Sequence, residues 1–144
     1  MVRSTGRPLG HWQREKVGGI GGEVALAPLI LLPPRDWLYA RCDARFEMMF
    51  SDQGLAEVAS LLVRNLPALA PVMRAIGLRE IAAYLNGELT RQQALDAGRT
   101  ATRQYAKRQY TWFNRQPPVE WPRFREALKG EAVEQALSLL QTSC

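Results

Sequence analysis

One segment of this 144-residue chain reads as a β-strand, and that most limits what the chain can fold into. Val24 to Leu32 is apolar throughout, bounded by glycines before it and Pro33-Pro34 after it. Such a run predicts a short buried strand. A lone strand carries unpaired N–H and C=O groups on both edges and has no stable existence in water. The expectation is that its partner sheet is missing from this chain.

The rest predicts helices. Asp36 to Phe50 carries an apolar stripe of Leu38, Tyr39, Cys42, Phe46, Met49 and Phe50, with Asp36 placed to cap it. A second helix is expected from Leu55 to Asn65, ahead of Pro67 and Pro71, and a third from Leu78 to Leu85, ended by Asn86-Gly87. Thr90-x-x-Gln93 is a capping-box pattern opening the longest helix, Arg91 to Asn114, which Pro117-Pro118 stop. A last amphipathic helix is expected from Arg123 to Gln141, with a break at Gly130. The division is an irregular segment over 1–23, a body over 24–122 and a C-terminal helix over 123–144. No repeat is present.

Several functions are excluded early. The apolar run is too short to cross a bilayer, which takes about 20 residues, and no small-residue cleavage site follows it. Cys42 and Cys144 form neither a disulfide framework nor a C-x-x-C pair. A single histidine, His11, rules out the common Cys/His zinc sites and makes a poor base for a triad. Gly18-Gly19-Ile20-Gly21-Gly22 is followed by Glu23 and Val24 rather than Lys-Ser/Thr, so it reads as a linker and not a phosphate loop. These features describe a protein of a reducing compartment, the cytoplasm.

The charge is informative because it is localised. The net charge is +5, and Ala97 to Val119 holds five bases and no acid, so the remainder balances at 14 against 14. Arg99, Arg103 and Lys107 recur at i, i+4, i+8 and define a ridge about 12 Å long at about 1.5 Å per residue. Arg108 and Arg115 lie on a neighbouring face, and Gln104, Tyr105, Gln109, Tyr110, Thr111, Trp112, Phe113 and Asn114 are interleaved. Bases neutralise phosphates, aromatics stack on splayed nucleobases, and amides read base edges. A solvated helix face with its aromatics in the core is the other reading, and the pattern alone does not separate them.

Two smaller signals point to anions. Arg41 and Arg45, one turn apart, can grip a phosphate or diphosphate; Asp43 and Glu47 offer the alternative of a solvent-facing salt-bridge ladder. In Arg74-Ala75-Ile76-Gly77-Leu78-Arg79, two arginines flank a glycine where a loop enters a helix.

Taken in order, four blocks resemble the tRNA dimethylallyltransferases, also called tRNA isopentenyltransferases. They are STGRPLGHWQ (Ser4 to Gln13), LLPPRDWLYARCDARFEMM (Leu31 to Met49), MRAIGLREIAAYLNGE (Met73 to Glu88) and ATRQYAKRQYTWF (Ala101 to Phe113). The resemblance covers about Ser4 to Arg123. It implies an α/β fold of the P-loop NTPase type with a helical insertion, of which this portion is mostly α-helical with about one strand. It implies transfer of a dimethylallyl group from dimethylallyl diphosphate to N6 of the adenosine beside the anticodon, with Mg²⁺ assisting pyrophosphate release.

By the same resemblance, Arg45, with Arg41 one turn back, contacts the diphosphate. Arg74, Ala75, Ile76, Gly77, Leu78 and Arg79 form one tRNA-contacting stretch. Lys107, Arg108, Gln109, Tyr110, Thr111, Trp112, Phe113 and Asn114 form the other; the ridge of Arg99 and Arg103, read from the charge pattern and not from the resemblance, extends it upstream. Leu78 stands where the family usually has tyrosine, and Asn114 where it usually has arginine. Nothing here matches the family's phosphate-binding loop or its catalytic aspartate and threonine. The expectation is therefore a C-terminal portion whose partners are the tRNA anticodon stem-loop, dimethylallyl diphosphate and a missing N-terminal half. It holds no catalytic residue and no metal ligand, and is inactive alone. A stand-alone helical RNA-binding module and a remnant without function are the alternatives.

Overall fold

The computed structural model describes residues 5–15, 19 and 22–142. Its elements are helix α1 (Leu9–Arg14), strand β1 (Ile30–Leu31), helices α2 (Arg35–Met49) and α3 (Asp52–Val63), a 3₁₀ turn (Pro71–Arg74), helices α4 (Leu78–Leu85) and α5 (Arg91–Arg115), strand β2 (Arg123–Phe124) and helix α6 (Glu131–Thr142).

The expected strand contracts to Ile30–Leu31, and it has a partner within the chain. β2 pairs with it in parallel, Ile30 opposite Arg123 and Leu31 opposite Phe124. Ile30 N donates to Pro122 O at 2.9 Å, and Leu32 N to Phe124 O at 2.7 Å. Upstream of Ile30 no ladder forms: Pro28 lacks a donor, and Val24 and Leu26 are exposed rather than buried. The expected helix from Arg123 is corrected by the same pairing. Arg123 and Phe124 are extended, and the helix starts only after Gly130, whose φ is +54°. The segment expected to be irregular contains α1, where His11 lies 3.3 Å from Glu15. Most of the glycine run from Gly18 to Gly22 lies outside the described residues.

The other helices form close to where the sequence places them. Ser51 caps α3 by accepting from Gly54 N at 3.4 Å. Thr90 and Gln93 make both bonds of the capping box, Gln93 N to Thr90 Oγ1 at 3.3 Å and Thr90 N to Gln93 Oε1 at 2.9 Å. Asp36 does not cap α2; it sits in the first turn behind Pro34 and complements the helix dipole.

α2 and α5 pack antiparallel and build the body. Arg35 lies over the Tyr110 ring, Asp43 faces Arg103, Glu47 faces Arg99, and Arg91 lies over Phe50. The core between α2, α3, α4 and α5 comprises Phe46, Phe50, Val58, Leu78, Ile81, Ala94 and Leu95. Among the described residues no helix is long and apolar enough to cross a membrane.

Candidate nucleic-acid interface and anion-binding face

The ridge predicted along α5 divides in two. Its N-terminal half is occupied by ion pairs: Arg99 reaches Glu47 of α2 and, at 3.1 Å, Asp96, while Arg103 Nε lies 3.5 Å from Asp43 Oδ1. The hydrogen bond to Glu47 is the main cause that holds the Arg99 guanidinium above its already high pKa, against partial desolvation. These two side chains close the α2–α5 seam instead of presenting bare charge. The reason is geometric: the i, i+4, i+8 face of α5 starts against α2 and turns away from it further along.

Beyond that point the charge is open. Lys107, Arg108 and Arg115 line a shallow groove of about 550 Å³ with Gln104, Thr111, Trp112 and Gln116. No carboxylate pairs with any of the three bases among the described residues. Trp112 is 56% exposed, with its ring edge-on to Phe113 at 5.0 Å between centroids. Arg108 lies over the Tyr105 ring at 5.8 Å. The groove therefore offers three cations and an open indole, which suits a phosphate backbone and a stacked base. Trp112 and Gln116 also border an apolar cleft of about 750 Å³ between Leu26–Leu31 and Trp121.

Tyr110 sits elsewhere. Its hydroxyl donates to Leu32 O at 3.3 Å and its ring is covered by Arg35 at 5.3 Å, so it ties α5 to the end of β1. Thr111 spends its hydroxyl on Lys107 O at 2.9 Å, inside its own helix. Gln109 is exposed. Asn114 accepts from Arg125 Nη2 at 3.4 Å.

The stretch from Arg74 to Arg79 runs from the 3₁₀ turn into the first turn of α4. Gly77 and Leu78 are buried, Leu78 in the core and Gly77 against the Phe46 ring with φ +91°. Ile76 is half-buried, so the exposed side chains of this stretch are Arg74, Ala75 and Arg79. Sequence reasoning counted all six because loop entry and side-chain direction are not separable without the core.

On α2, Arg41 and Arg45 face away from α5 and border a groove of about 530 Å³ with Leu38, Cys42, Ala44 and Met48. Arg41 stacks over Trp37 at 4.9 Å. The salt-bridge ladder does not form. Residues two apart on a helix do not face each other, and Asp43 and Glu47 are turned to Arg103 and Arg99. Among the described residues the arginine pair is left without a carboxylate. Burial pushes the Cys42 thiol up in pKa, Asp43 adding to the effect and Arg45 and Arg103 opposing it. Among the described residues no three His, Cys, Asp or Glu converge to hold a metal ion.

The comparisons with known proteins bear on this arrangement. The family model described as IPP transferase matches residues 1–116. The chain belongs to the IPP transferase family. The chain is 61% identical over 123 residues to a tRNA dimethylallyltransferase of Novosphingobium aromaticivorans, covering 85% of the chain and 44% of the relative. It is 54% identical over 143 residues to one of Sphingopyxis alaskensis, covering 99% and 47%. Among solved structures, a full-length tRNA isopentenylpyrophosphate transferase from Bacillus halodurans superposes with a TM-score of 0.62 at 29% identity, over 81% of this chain and 39% of that one. The chain thus spans less than half the length of these relatives, and over the matched part it shares the fold of the Bacillus halodurans structure.

Proposed function

We propose that this chain is the C-terminal, tRNA-gripping portion of a tRNA dimethylallyltransferase. The complete enzyme moves a dimethylallyl group from dimethylallyl diphosphate to N6 of the adenosine next to the anticodon, in the cytoplasm. The observation that carries the reading is the open groove of Lys107, Arg108 and Arg115 around Trp112, in a chain that belongs to this family. Arg74 and Arg79 add a second cationic contact. Arg41 and Arg45 meet the diphosphate from the opposite face of α2 and supply positive charge for the departing pyrophosphate.

The chemistry needs what these residues do not provide. The Mg²⁺ that goes with the family finds no convergent set of ligands among the described residues. The target base must be unstacked from its loop and held; the groove offers grip and stacking, and the prenyl donor's loop comes from the remaining portion.

Binding to an anticodon stem-loop, followed by fluorescence anisotropy across a salt series, tests the grip. The expected log–log slope falls by about 0.7 to 0.9 for each of Lys107→Ala, Arg108→Ala and Arg115→Ala. No binding at low salt overturns the proposal. In a transfer assay with radiolabelled dimethylallyl diphosphate, the 144-residue chain alone gives no product. A stand-alone RNA-binding module is the second reading, favoured by the groove lying wholly within this chain.

A further inference from the structure

The carboxylates of α2 raise an electrostatic problem that the structure answers. Asp43 is two residues from both Arg41 and Arg45, and Glu47 is two residues from Arg45. Across a helix about 10 Å wide, each carboxylate opposes any anion held by those arginines, since like charges still repel measurably at that distance in low salt. Both carboxylates are met by an arginine of α5, Asp43 by Arg103 at 3.5 Å and Glu47 by Arg99. Arg41 and Arg45 have no carboxylate partner among the described residues.

We infer that Arg99 and Arg103 serve the anion face of α2 rather than the RNA: they are positioning residues that cancel the charge of Glu47 and Asp43 and keep these carboxylates turned into the seam. This rests on the reading of Arg41 and Arg45 as diphosphate contacts. It assigns the two arginines, which the sequence pattern groups with Lys107, to the other ligand of the reaction. The seam supports the division. Arg99 is 25% exposed at its side chain and holds two carboxylates, and Asp43 Oδ1 is buried with Arg103 as its only ionic partner among the described residues. Removing Arg103 leaves the Asp43 carboxylate unpaired; it does not merely delete a positive charge.

The test titrates inorganic pyrophosphate into the full chain by calorimetry at low ionic strength, with helical circular dichroism confirming each variant's fold. Arg103→Ala is expected to weaken pyrophosphate binding about two- to fivefold. Asp43→Asn strengthens it, and the double variant Asp43→Asn with Arg103→Ala returns it to the parent value. Arg103→Lys retains it, and the Arg103→Ala loss shrinks as salt rises. A purely structural role would not give opposite signs for the two partners of one ion pair. In parallel, Arg103→Ala leaves the salt slope for the anticodon stem-loop unchanged, while Lys107→Ala lowers it. An unchanged pyrophosphate affinity in Arg103→Ala, with Arg45→Ala still weakening it, overturns the inference and spares the diphosphate reading. So does an RNA slope that falls as far in Arg103→Ala as in Lys107→Ala. If Arg45→Ala itself leaves pyrophosphate binding unaltered, the diphosphate reading falls and this inference with it.

Discussion

Gly98 of α5 lies directly against the ring of Phe46 of α2, so closely that a Cβ on Gly98 would occupy the ring's own space. Phe46 is 1% exposed and is also pressed by Gly77 at the entry to α4. One aromatic ring therefore fixes how the helix bearing Arg45, the entry to α4 that carries Arg79, and the helix bearing the basic groove meet.

Gly98→Ala is consequently destabilising, although alanine is worth about 1 kcal/mol over glycine in a helix interior. Overpacking of a fixed core costs about 1 to 3 kcal/mol and exceeds that gain. The net loss is read as a lower urea midpoint at an unchanged slope. Adding Phe46→Leu to Gly98→Ala recovers part of it by making room. An equal or higher midpoint for Gly98→Ala alone would refute the packing account.

Tyr110→Phe separates structure from recognition at a residue where the sequence pattern joins them. The substitution removes the hydroxyl's bond to Leu32 O and keeps the ring under Arg35. A hydrogen bond of this kind contributes about 0.5 to 1.5 kcal/mol, so stability falls by that order. Affinity for an anticodon stem-loop stays within error. A large loss of RNA affinity with stability intact would return Tyr110 to the interface.

Where the signal was local, the sequence was readable. The capping box of Thr90 and Gln93, the stop at Asn86-Gly87 and the stripe carrying Phe46 and Phe50 each depend on neighbours within a few residues. Where a partner distant in sequence decides, it was not. β1 needs β2 some 90 residues later, and Arg123 bears no local mark of a strand. The basic ridge was half legible for the same reason: periodicity puts Arg99, Arg103 and Lys107 on one face, but only the packing of α2 shows that acids meet the first two. Trp121 and Gln116, which border the clefts, follow Pro-Pro or precede it with no periodic signal at all.

Cys42 gives a pH dependence with a definite sign. Burial raises its thiol pKa above the usual range, so the folded chain keeps its proton at pH values where the unfolded chain has begun to lose it. The unfolded state then binds fewer protons, and stability declines as pH rises through the ordinary thiol range; below that range the group contributes no slope. The matching kinetic outcome is slow alkylation by iodoacetamide at pH 8 in the folded chain and faster alkylation in urea. Cys42→Ser should abolish that part of the alkaline slope. Folded Cys42 reacting as fast as the unfolded thiol would contradict the burial.

Arg123→Lys tests what holds the end of the basic helix in place. The Arg123 guanidinium donates through Nη1 to Pro118 O at 3.1 Å, Val119 O at 3.1 Å and Trp121 O at 2.6 Å, and through Nη2 to Pro117 O at 3.1 Å. It gathers the carbonyls of the turn that follows α5 while its own backbone pairs with Ile30. A lysine keeps the charge but offers one compact ammonium, which cannot span carbonyls spread over a planar fork. Loosening the turn frees β2, so the amides of Ile30 and Leu32, bonded to Pro122 O and Phe124 O, exchange faster with solvent in Arg123→Lys. The amides in the middle of α5 keep the parent's protection, because α2 and not β2 covers them. Uniformly faster exchange would mean that global stability had fallen instead, and unchanged exchange at Ile30 and Leu32 would show that the two-stranded pairing stands without the arginine.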